Sequence, residues 1–305
     1  MPPVCIIIAG PTAIGKTQLA IEVARHFHTE IISADSRQCY HELNIGVARP
    51  DSEQLQQVQH HFIATHSIHE NVTAAYFESY ALNKMSEIFS TTPVAVVAGG
   101  TGLYLRALEY GLDKIPAIAP EIREDIVGQF QQSGIAWLIE QLQLEDPSFA
   151  VTGEMQNPQR MMRALEVMRG TGQSILHFHQ HGKAIRPFHI IKIGLELPRE
   201  VLYERINQRV DLMMNQGQEE EARSVYANRS LNALQTVGYA ELFDYFDGTI
   251  TKAEAVNLIK QHTRNYAKRQ MTWLKREEGM QWMPPDADRV IKYLAEKISA
   301  LHLKT

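Results

Sequence analysis

Cysteine and long apolar runs are what this sequence most clearly lacks. Only two of its 305 residues are cysteines, Cys5 in a predicted strand and Cys39 in a predicted loop. Two such thiols form neither a disulfide framework nor a CxxC metal or redox motif. The apolar N-terminal run, residues 4–9, is too short for a membrane span or a signal peptide. We therefore expect a protein of the reducing cytoplasm that has no membrane association.

An excess of charge of either sign is also missing. Charged residues make up 21% of the chain, and the formal net charge is −5. A nucleic-acid partner would therefore have to be bound by local basic surface and not by the overall charge. The hydrophobic fraction of 44% is ordinary for a globular protein. The length suits one α/β domain with an insertion, or two domains.

The most informative stretch is residues 10–17, which fit the phosphate-loop pattern GxxxxGK[ST]. The apolar run before it is typical of a buried strand, and the apolar stripe after it is typical of an amphipathic helix. In this setting, backbone N–H groups and a helix N-terminus surround a diphosphate or triphosphate. Lys16 reaches the terminal phosphate oxygens, and the Thr17 hydroxyl can ligate Mg²⁺. The predicted phosphate-binding residues are Gly10, Pro11, Thr12, Ala13, Ile14, Gly15, Lys16 and Thr17.

A second predicted strand, residues 30–35, ends in a polar loop that begins at Asp35. In open α/β sheets, ligands bind beyond the carboxyl ends of the strands. Asp35 is therefore expected at the same edge of the sheet as the phosphate loop, and it is the strongest candidate for a catalytic carboxylate. An aspartate that only caps a turn is the alternative interpretation.

Residues 93–98 predict another buried parallel strand, which breaks into a glycine-rich loop around Thr101. Glycines at 99, 100 and 102 let the backbone and the Thr101 hydroxyl approach a ligand closely. Motor NTPases and many kinases place a metal-binding carboxylate at the end of a core strand, whereas this strand ends in glycine. Asp35 is thus the only carboxylate evident at this edge. A tight turn without a ligand is the alternative for Thr101.

The pattern as a whole predicts an α/β fold. We expect a P-loop NTPase-like parallel sheet flanked by helices, formed by residues 1–115 and 188–305. Residues 116–187 contain helical segments without a strong strand signal, and they predict a helical insertion subdomain. Pro120 is expected to begin one of its helices, which carries Arg123.

A further helix of the insertion is predicted to begin with Asn157 as N-cap and Pro158 at the first helical position, and to end at Gly170. Gln159, Arg160 and Arg163 lie near one another on it, away from the predicted buried side. Arg and Gln side chains together can bind phosphates and base edges; a solvated helix face is the alternative. The predicted buried side consists of Met161, Ala164, Leu165 and Met168.

Two groups of basic residues follow in the C-terminal part. Arg205 and Arg209 are four residues apart on a predicted helix and could bind diphosphate oxygens in bidentate contacts. Surface ion pairs are the alternative. Residues 260–276 contain six Lys or Arg and no Asp or Glu. This basic stripe suits a nucleic-acid backbone, although a solvated basic helix is the simpler interpretation of the stripe alone.

Taken together, the motifs resemble those of the bacterial tRNA dimethylallyltransferases, also called tRNA isopentenyltransferases. They follow the order of that family and cover nearly the whole chain, and only the phosphate loop is specific by itself. After HHF the family often continues with an acidic turn, whereas residues 63–66 here are IATH. The motifs are GPTAIGKT at 10–17, DSRQCY at 35–40, HHF at 60–62, GGTGLY at 99–104, NPQRMMRALEV at 157–167, VGY at 237–239 and AKRQMTWLK at 267–275.

The resemblance implies transfer of a dimethylallyl group from dimethylallyl diphosphate to N6 of adenine 37 in tRNAs that read codons beginning with U. It also implies Mg²⁺ as cofactor, and an insertion that binds the anticodon stem-loop. By the same resemblance, Asp35 is the general base, and Thr101 contacts the bridging oxygen of the diphosphate and the tRNA. The implied tRNA contacts are Asp35, Ser36, Arg37, Gln38, Thr101, Arg123, Gln159, Arg160, Met161, Met162 and Arg163.

The residues suit this chemistry. An exocyclic adenine amine is a weak nucleophile, so a carboxylate such as Asp35 must take its proton as the new bond forms. The departing diphosphate gains negative charge, which the phosphate loop, Lys16, a Mg²⁺ on Thr17 and Arg209 would stabilise. The adenine must also be flipped out of the stacked anticodon loop to reach this centre.

Three alternatives remain at this point. A P-loop kinase for a small molecule or nucleotide would use Asp35 as base toward a hydroxyl, but it leaves the basic stripe and the glycine-rich loop unexplained. An adenylate isopentenyltransferase would not need a large insertion. An NTP-regulated RNA-binding switch would bind tRNA without modifying it. No feature of the sequence demands more than a monomer.

Overall fold

The computed structural model describes residues 2–179 and 184–302. The chain divides into two compact units, of which the first comprises residues 1–110 and 185–305 and the second residues 111–184. The second unit therefore begins five residues before the predicted insertion and ends three residues before its predicted end. No helix in the described part of the chain combines the length and the apolar character needed to cross a bilayer.

Strands and helices alternate in the first part of the first unit, as a parallel α/β fold requires. Its elements are β1 (Val4–Ala9), α1 (Lys16–His26), β2 (Ile31–Ala34), α2 (Ser52–Gln57), β3 (His60–His61), α3 (Ala74–Phe89), β4 (Val94–Gly99) and α4 (Gly102–Tyr110). The second unit contains the helices α5 (Pro120–Glu145), α6 (Pro147–Thr152), α7 (Pro158–Thr171) and α8 (Ile175–Phe178).

The chain then returns to the first unit, where two further strands complete the sheet. These elements are β5 (His189–Leu195), α9 (Arg199–Asn215), α10 (Gln218–Val225), α11 (Ala240–Phe246), α12 (Lys252–Leu274), β6 (Met280–Met283) and α13 (Ala287–His302), with short 3₁₀ turns at Tyr226–Asn228 and Asn232–Leu234.

The six strands form one sheet in the order β3-β2-β4-β1-β5-β6, and every pairing is parallel. This arrangement confirms the predicted fold class and the strands predicted over residues 4–9, 30–35 and 93–98. A fourth apolar run, residues 190–197, predicts β5. The sequence did not predict β3 and β6. Both are outermost strands of two and four residues, too short to give a periodic signal.

The central strand β1 is buried on both faces of the sheet. Cys5, Ile7 and Ala9 belong to the apolar cluster on one face. Val4, Ile6 and Ile8 belong to the cluster on the other face. A continuous apolar run of this kind is what a strand covered by helices on both sides requires.

The register of the sheet aligns the ends of three strands. Ala9 of β1 and Ala34 of β2 are both register partners of Gly99 of β4. A Cβ atom at position 99 would overlap the Ala34 carbonyl group, so the close approach of β2 and β4 requires glycine there. The loops after β1, β2 and β4 therefore start at the same level of one sheet edge.

Helix α7 of the second unit begins as predicted, because the Asn157 Oδ1 accepts hydrogen bonds from the N–H groups of Gln159 (3.2 Å) and Arg160 (3.3 Å). Its predicted end at Gly170 is wrong. The helix continues to Thr171, and Gly172 forms the left-handed C-cap with φ 70°. Gly170 is required for another reason, since a Cβ atom there would lie 2.6 Å from the Ile118 side chain.

Candidate active site

A cavity of about 1080 Å³ lies in the first unit at the sheet edge where the three loops begin. Lys16 and Thr17 of the phosphate loop line it together with Asp35 from the loop after β2. Helix α9 contributes Arg209 to the same lining. The structure thus brings the predicted phosphate site and the predicted catalytic carboxylate into one space.

The phosphate loop divides into residues that line this cavity and residues that support it. Thr12, Ala13, Gly15, Lys16 and Thr17 belong to the lining. Gly10, Pro11 and Ile14 are buried behind it, and Ile14 is fully enclosed in the apolar core. Gly15 adopts a φ of 104°, which only glycine reaches without strain, immediately before α1 begins at Lys16.

Lys16 and Arg209 are among the cavity's cations that have no anionic partner within the described residues. The Lys16 Nζ donates only to the Pro11 carbonyl oxygen, at 2.7 Å. Burial lowers the pKa of Lys16 to about 8, although the neighbouring Asp35 carboxylate acts in the opposite direction. Burial also lowers the pKa of the Arg209 guanidinium below its ordinary value. Buried cations without counter-charge are costly, so this arrangement is suited to receive an anion.

Asp35 caps its own turn and also faces the cavity. Its Oδ1 accepts hydrogen bonds from the N–H groups of Arg37 at 2.9 Å and Gln38 at 3.3 Å. The interpretation of Asp35 as a turn cap is therefore correct for Oδ1, but it does not account for Oδ2. The Oδ2 atom accepts no hydrogen bond within the described part of the chain, so one carboxylate oxygen remains available to take a proton.

Thr101 is connected to the Asp35 loop by its hydroxyl and its backbone. The Ser36 N–H donates to the Thr101 Oγ1 at 3.1 Å, and the Thr101 N–H donates to the Ala34 carbonyl oxygen at 3.2 Å. Thr101 itself does not belong to the cavity lining, whereas Ser36 does. Hydrogen bonds therefore connect Thr101 to Ala34 and Ser36, the residues on either side of Asp35.

The predicted RNA contact Gln38 already has partners within the protein. Its Nε2 donates to the carbonyl oxygens of Val47 (3.2 Å) and Ala48 (3.0 Å). Its Oε1 accepts a hydrogen bond from the Ser33 hydroxyl at 3.2 Å. These bonds fix the course of the segment that forms the far side of the cavity, and they account for Gln38 without a bound RNA.

Glu221 holds the neighbouring segment 44–46, a role that was not predicted from the sequence. Its carboxylate accepts hydrogen bonds from three consecutive backbone N–H groups at 2.8–3.0 Å. The Tyr239 hydroxyl donates to the same carboxylate at 2.5 Å. Tyr239 belongs to the VGY motif, so part of that motif serves to hold a cavity wall.

The predicted RNA-binding residues of the second unit form a small charged cluster. Arg123 donates to Glu166 at 2.9 Å and to the Gln159 Oε1 at 3.2 Å. Arg163 donates to the other oxygen of Glu166 at 2.8 Å. Arg160 is exposed and pairs with Glu154. The structure thus groups these side chains on the surface of one unit.

Met161 and Met162 do not belong to this surface. They are 0% and 3% exposed, and both pack in the apolar core of the second unit. Their side chains are therefore removed from the predicted RNA contacts, because α7 turns these positions toward α5. The prediction of Met161 as a core residue is confirmed.

The basic stripe on α12 is partly engaged with α9. Lys260 pairs with Asp211 at 2.6 Å, and Arg264 donates to the Asn207 Oδ1 at 2.6 Å. Lys268 remains exposed. Lys260 and Arg264 are thus engaged within the protein, whereas Lys268 agrees with the simpler interpretation of a solvated basic helix.

Tyr266 and Gln270 are among the residues of α12 that reach the site, and no role was predicted for Gln270 from the sequence. Tyr266 lines the cavity, and the centroid of its ring lies 5.7 Å from the Arg269 guanidinium. Gln270 is buried and hydrogen-bonded to the phosphate loop. Gln270 belongs to the AKRQMTWLK motif, and Tyr266 directly precedes it. The motif match therefore pointed to this part of α12, but it did not say what these side chains contact.

The parallel sheet and the phosphate loop define a P-loop enzyme of the α/β class, and its unpaired cations suit a diphosphate or triphosphate group. Comparison with known proteins narrows this class. The profile of the family described as IPP transferase matches residues 38–277. A tRNA dimethylallyltransferase of Flavobacterium johnsoniae is 46% identical over 303 residues, covering 97% of this chain and 98% of that protein.

Solved structures agree. The full-length tRNA isopentenylpyrophosphate transferase of Bacillus halodurans has a TM-score of 0.71 at 32% identity and covers 98% of this chain and 96% of its own. A eukaryotic dimethylallyltransferase acting on tRNA shares the fold, with a TM-score of 0.82 at 23% identity over 98% of this chain and 80% of that one. The chain belongs to the IPP transferase family.

The four bonds to Glu221 predict a measurable contribution to stability. Glu221→Ala should lower the free energy of unfolding by about 2 kcal/mol, because it leaves three N–H groups and the Tyr239 hydroxyl without their charged acceptor. Urea denaturation measures this change. Glu220→Ala, an exposed position on the same helix, is the matched control. Equal stability of the two variants would contradict the role of Glu221.

Proposed function

We propose that this protein transfers the dimethylallyl group of dimethylallyl diphosphate to N6 of adenine 37 in tRNAs that read codons beginning with U. One observation supports this most strongly: two cations without anionic partners and a carboxylate with a free oxygen line a single cavity. The cations suit the diphosphate that departs, and the carboxylate suits the amine that loses a proton. Family membership supports the same choice of substrates.

In the proposed reaction, the adenine N6 attacks the allylic carbon while the bond from that carbon to the diphosphate oxygen breaks. The electron pair of the broken bond leaves with the diphosphate. The N6 proton passes to the Asp35 carboxylate, which acts as general base. Lys16 and Arg209 stabilise the negative charge that grows on the leaving group, in a site where charge interactions are stronger than in water.

Magnesium fits the proposed site as a partner of the diphosphate. Thr17 lines the cavity at the start of α1 and offers a hydroxyl oxygen, while no cluster of three metal-ligating side chains occurs among the described residues. This donor set suits Mg²⁺, which commonly keeps several waters and is held largely by substrate phosphates. The ion would supply further charge neutralisation on the departing diphosphate.

Recognition of the tRNA anticodon stem-loop is proposed for the second unit. Arg123, Gln159, Arg160 and Arg163 lie on its surface. The present ion-pair partners of the three arginines are Glu154 and Glu166, which phosphates can replace. Ser36, Arg37 and Thr101 are proposed to meet the flipped nucleotide, since they adjoin Asp35. We further propose a cytoplasmic monomer, in line with the two unpaired buried cysteines.

A two-substrate assay tests the proposed function. The purified chain is incubated with Mg²⁺, radiolabelled dimethylallyl diphosphate and either unmodified tRNA with adenine at position 37 or AMP, while ATP hydrolysis is followed in parallel. Label in tRNA alone is expected. Label in AMP would instead indicate a free-nucleotide transferase, and ATP consumption without transfer would indicate a kinase.

The role of Asp35 predicts a loss of rate without loss of binding. Asp35→Asn keeps an oxygen for the Arg37 and Gln38 N–H groups but cannot take a proton. We expect kcat to fall by about 10²–10⁴-fold, with little change in tRNA affinity, as measured by single-turnover transfer and filter binding. Asp51→Asn, which removes another carboxylate from the same cavity lining, is the control. Near-normal turnover of Asp35→Asn would remove Asp35 from the mechanism.

If Lys16 stabilises the leaving group, its loss should impair both the binding of diphosphate and the rate of transfer. Lys16→Ala should lower kcat/KM for dimethylallyl diphosphate by about 10²–10³-fold and weaken binding of inorganic diphosphate with Mg²⁺ in calorimetry. The control is Arg205→Ala, which removes an exposed cation one turn before Arg209. If Lys16→Ala leaves the diphosphate affinity and the transfer rate unchanged, Lys16 does not stabilise the leaving group.

The second unit predicts a salt-dependent effect on RNA binding. Replacing Arg160 and Arg163 together by Ala should weaken tRNA binding and flatten its dependence on log salt by about one unit of slope per lost phosphate contact. Replacing Lys292 and Lys297 of α13 by Ala removes the same charge from the first unit and serves as control. If the dependence of tRNA affinity on log salt has the same slope in this variant as in the control, both arginines form surface ion pairs and do not contact RNA.

A further inference from the structure

Gln270 is a buried side chain whose amide joins two loops of the candidate site. It lies on α12 and is 7% exposed. Its Oε1 accepts a hydrogen bond from the Thr12 N–H at 2.9 Å, and its Nε2 donates to the Gly100 carbonyl oxygen at 3.0 Å. The amide therefore bridges the phosphate loop and the glycine-rich loop after β4.

The orientation of this amide follows from its partners. A backbone N–H can only donate and a carbonyl oxygen can only accept, so the oxygen must face Thr12 and the nitrogen must face Gly100. No other uncharged side chain of this shape offers one acceptor and one donor at these two positions. Both ends are satisfied in a buried place, where a missing partner would be costly.

Packing holds the glycine-rich loop against the same helix. A Cβ atom at position 100 would overlap the Gln270 amide, and one at position 102 would overlap the Trp273 ring. Gln270 and Trp273 are three residues apart and therefore lie on one face of α12. The residues on either side of Thr101 are thus held by one helix face.

Continuous contacts lead from this amide to the catalytic carboxylate. Thr101 follows Gly100 directly, its N–H donates to the Ala34 carbonyl oxygen at 3.2 Å, and its Oγ1 accepts from the Ser36 N–H at 3.1 Å. Asp35 lies between Ala34 and Ser36. Gln270 therefore connects the loop that holds the leaving group to the loop that holds the base.

We infer that Gln270 is a positioning residue, which fixes the separation between the phosphate loop and the Thr101–Asp35 pair. This inference rests on the proposed function. The two reacting ends must be held at a set distance for the amine to meet the allylic carbon, and a misplacement of about 1 Å can lower a rate by about 100-fold. Both polar atoms of the Gln270 amide bond to protein backbone, so its loss should appear in the chemical step and not in substrate affinity.

Gln270→Met tests this inference, because methionine has a similar size and lacks both polar atoms. We expect kcat, measured by single-turnover transfer with both substrates saturating, to fall by about 10–100-fold. The affinities for inorganic diphosphate with Mg²⁺ and for tRNA should stay within about threefold. Gln261→Met, an exposed position on the same helix, should match the wild type.

Each outcome decides between the alternatives. A kcat of Gln270→Met within about twofold of the wild type would overturn the inference, and so would a loss confined to diphosphate affinity. If this variant does not fold, Gln270→Glu carries the test with the same thresholds, since it keeps the acceptor and loses the donor. Failure of both variants to fold would assign Gln270 to stability alone. Absence of transfer by the wild type would instead contradict the proposed function.

Discussion

The parallel pairing of β4 with both β1 and β2 is the constraint on which the site depends. Because Ala9 and Ala34 both align with Gly99, three functional loops begin at one level of the sheet edge. Strands β1 and β4 are apolar throughout, so the polar chemistry beside them is confined to the loops that follow. The sheet thus fixes where a diphosphate and a base can meet, and the loops determine what they do.

Charge and hydrogen bonding then divide the cavity into two ends. Lys16 and Arg209 leave positive charge uncompensated at the phosphate loop, whereas Asp35 leaves a free carboxylate oxygen nearby. The walls between these ends are held by polar side chains that bond to backbone groups, namely Gln38, Glu221 and Gln270. The hydrogen bonds of these side chains hold the loops in place, whereas the cations and Asp35 remain available to bind substrate.

The fold and the placement of Asp35 beside the phosphate loop could be predicted from the sequence because their signals are local. Four apolar runs, the phosphate-loop spacing and Asp35 after a strand are each visible within about ten residues. Glu221 and Gln270 could not be predicted in this way, because their partners lie 175 and 258 residues away in the chain. Met161 and Met162 were included among the predicted RNA contacts, although both are buried, because a motif match does not say which face of a helix is buried. Arg264 looked like part of a free basic stripe until its partner on α9 was known.

The central claim is that one cavity holds the diphosphate at Lys16 while the adenine amine meets Asp35. A crystal structure of the protein with Mg²⁺, an unreactive thiolodiphosphate analogue of dimethylallyl diphosphate and an anticodon stem-loop RNA tests it most directly. The expected result places the diphosphate within hydrogen-bond distance of the Lys16 Nζ and the adenine N6 within reach of the Asp35 Oδ2. A diphosphate bound outside residues 10–17, or an N6 atom that faces away from Asp35, would contradict the claim.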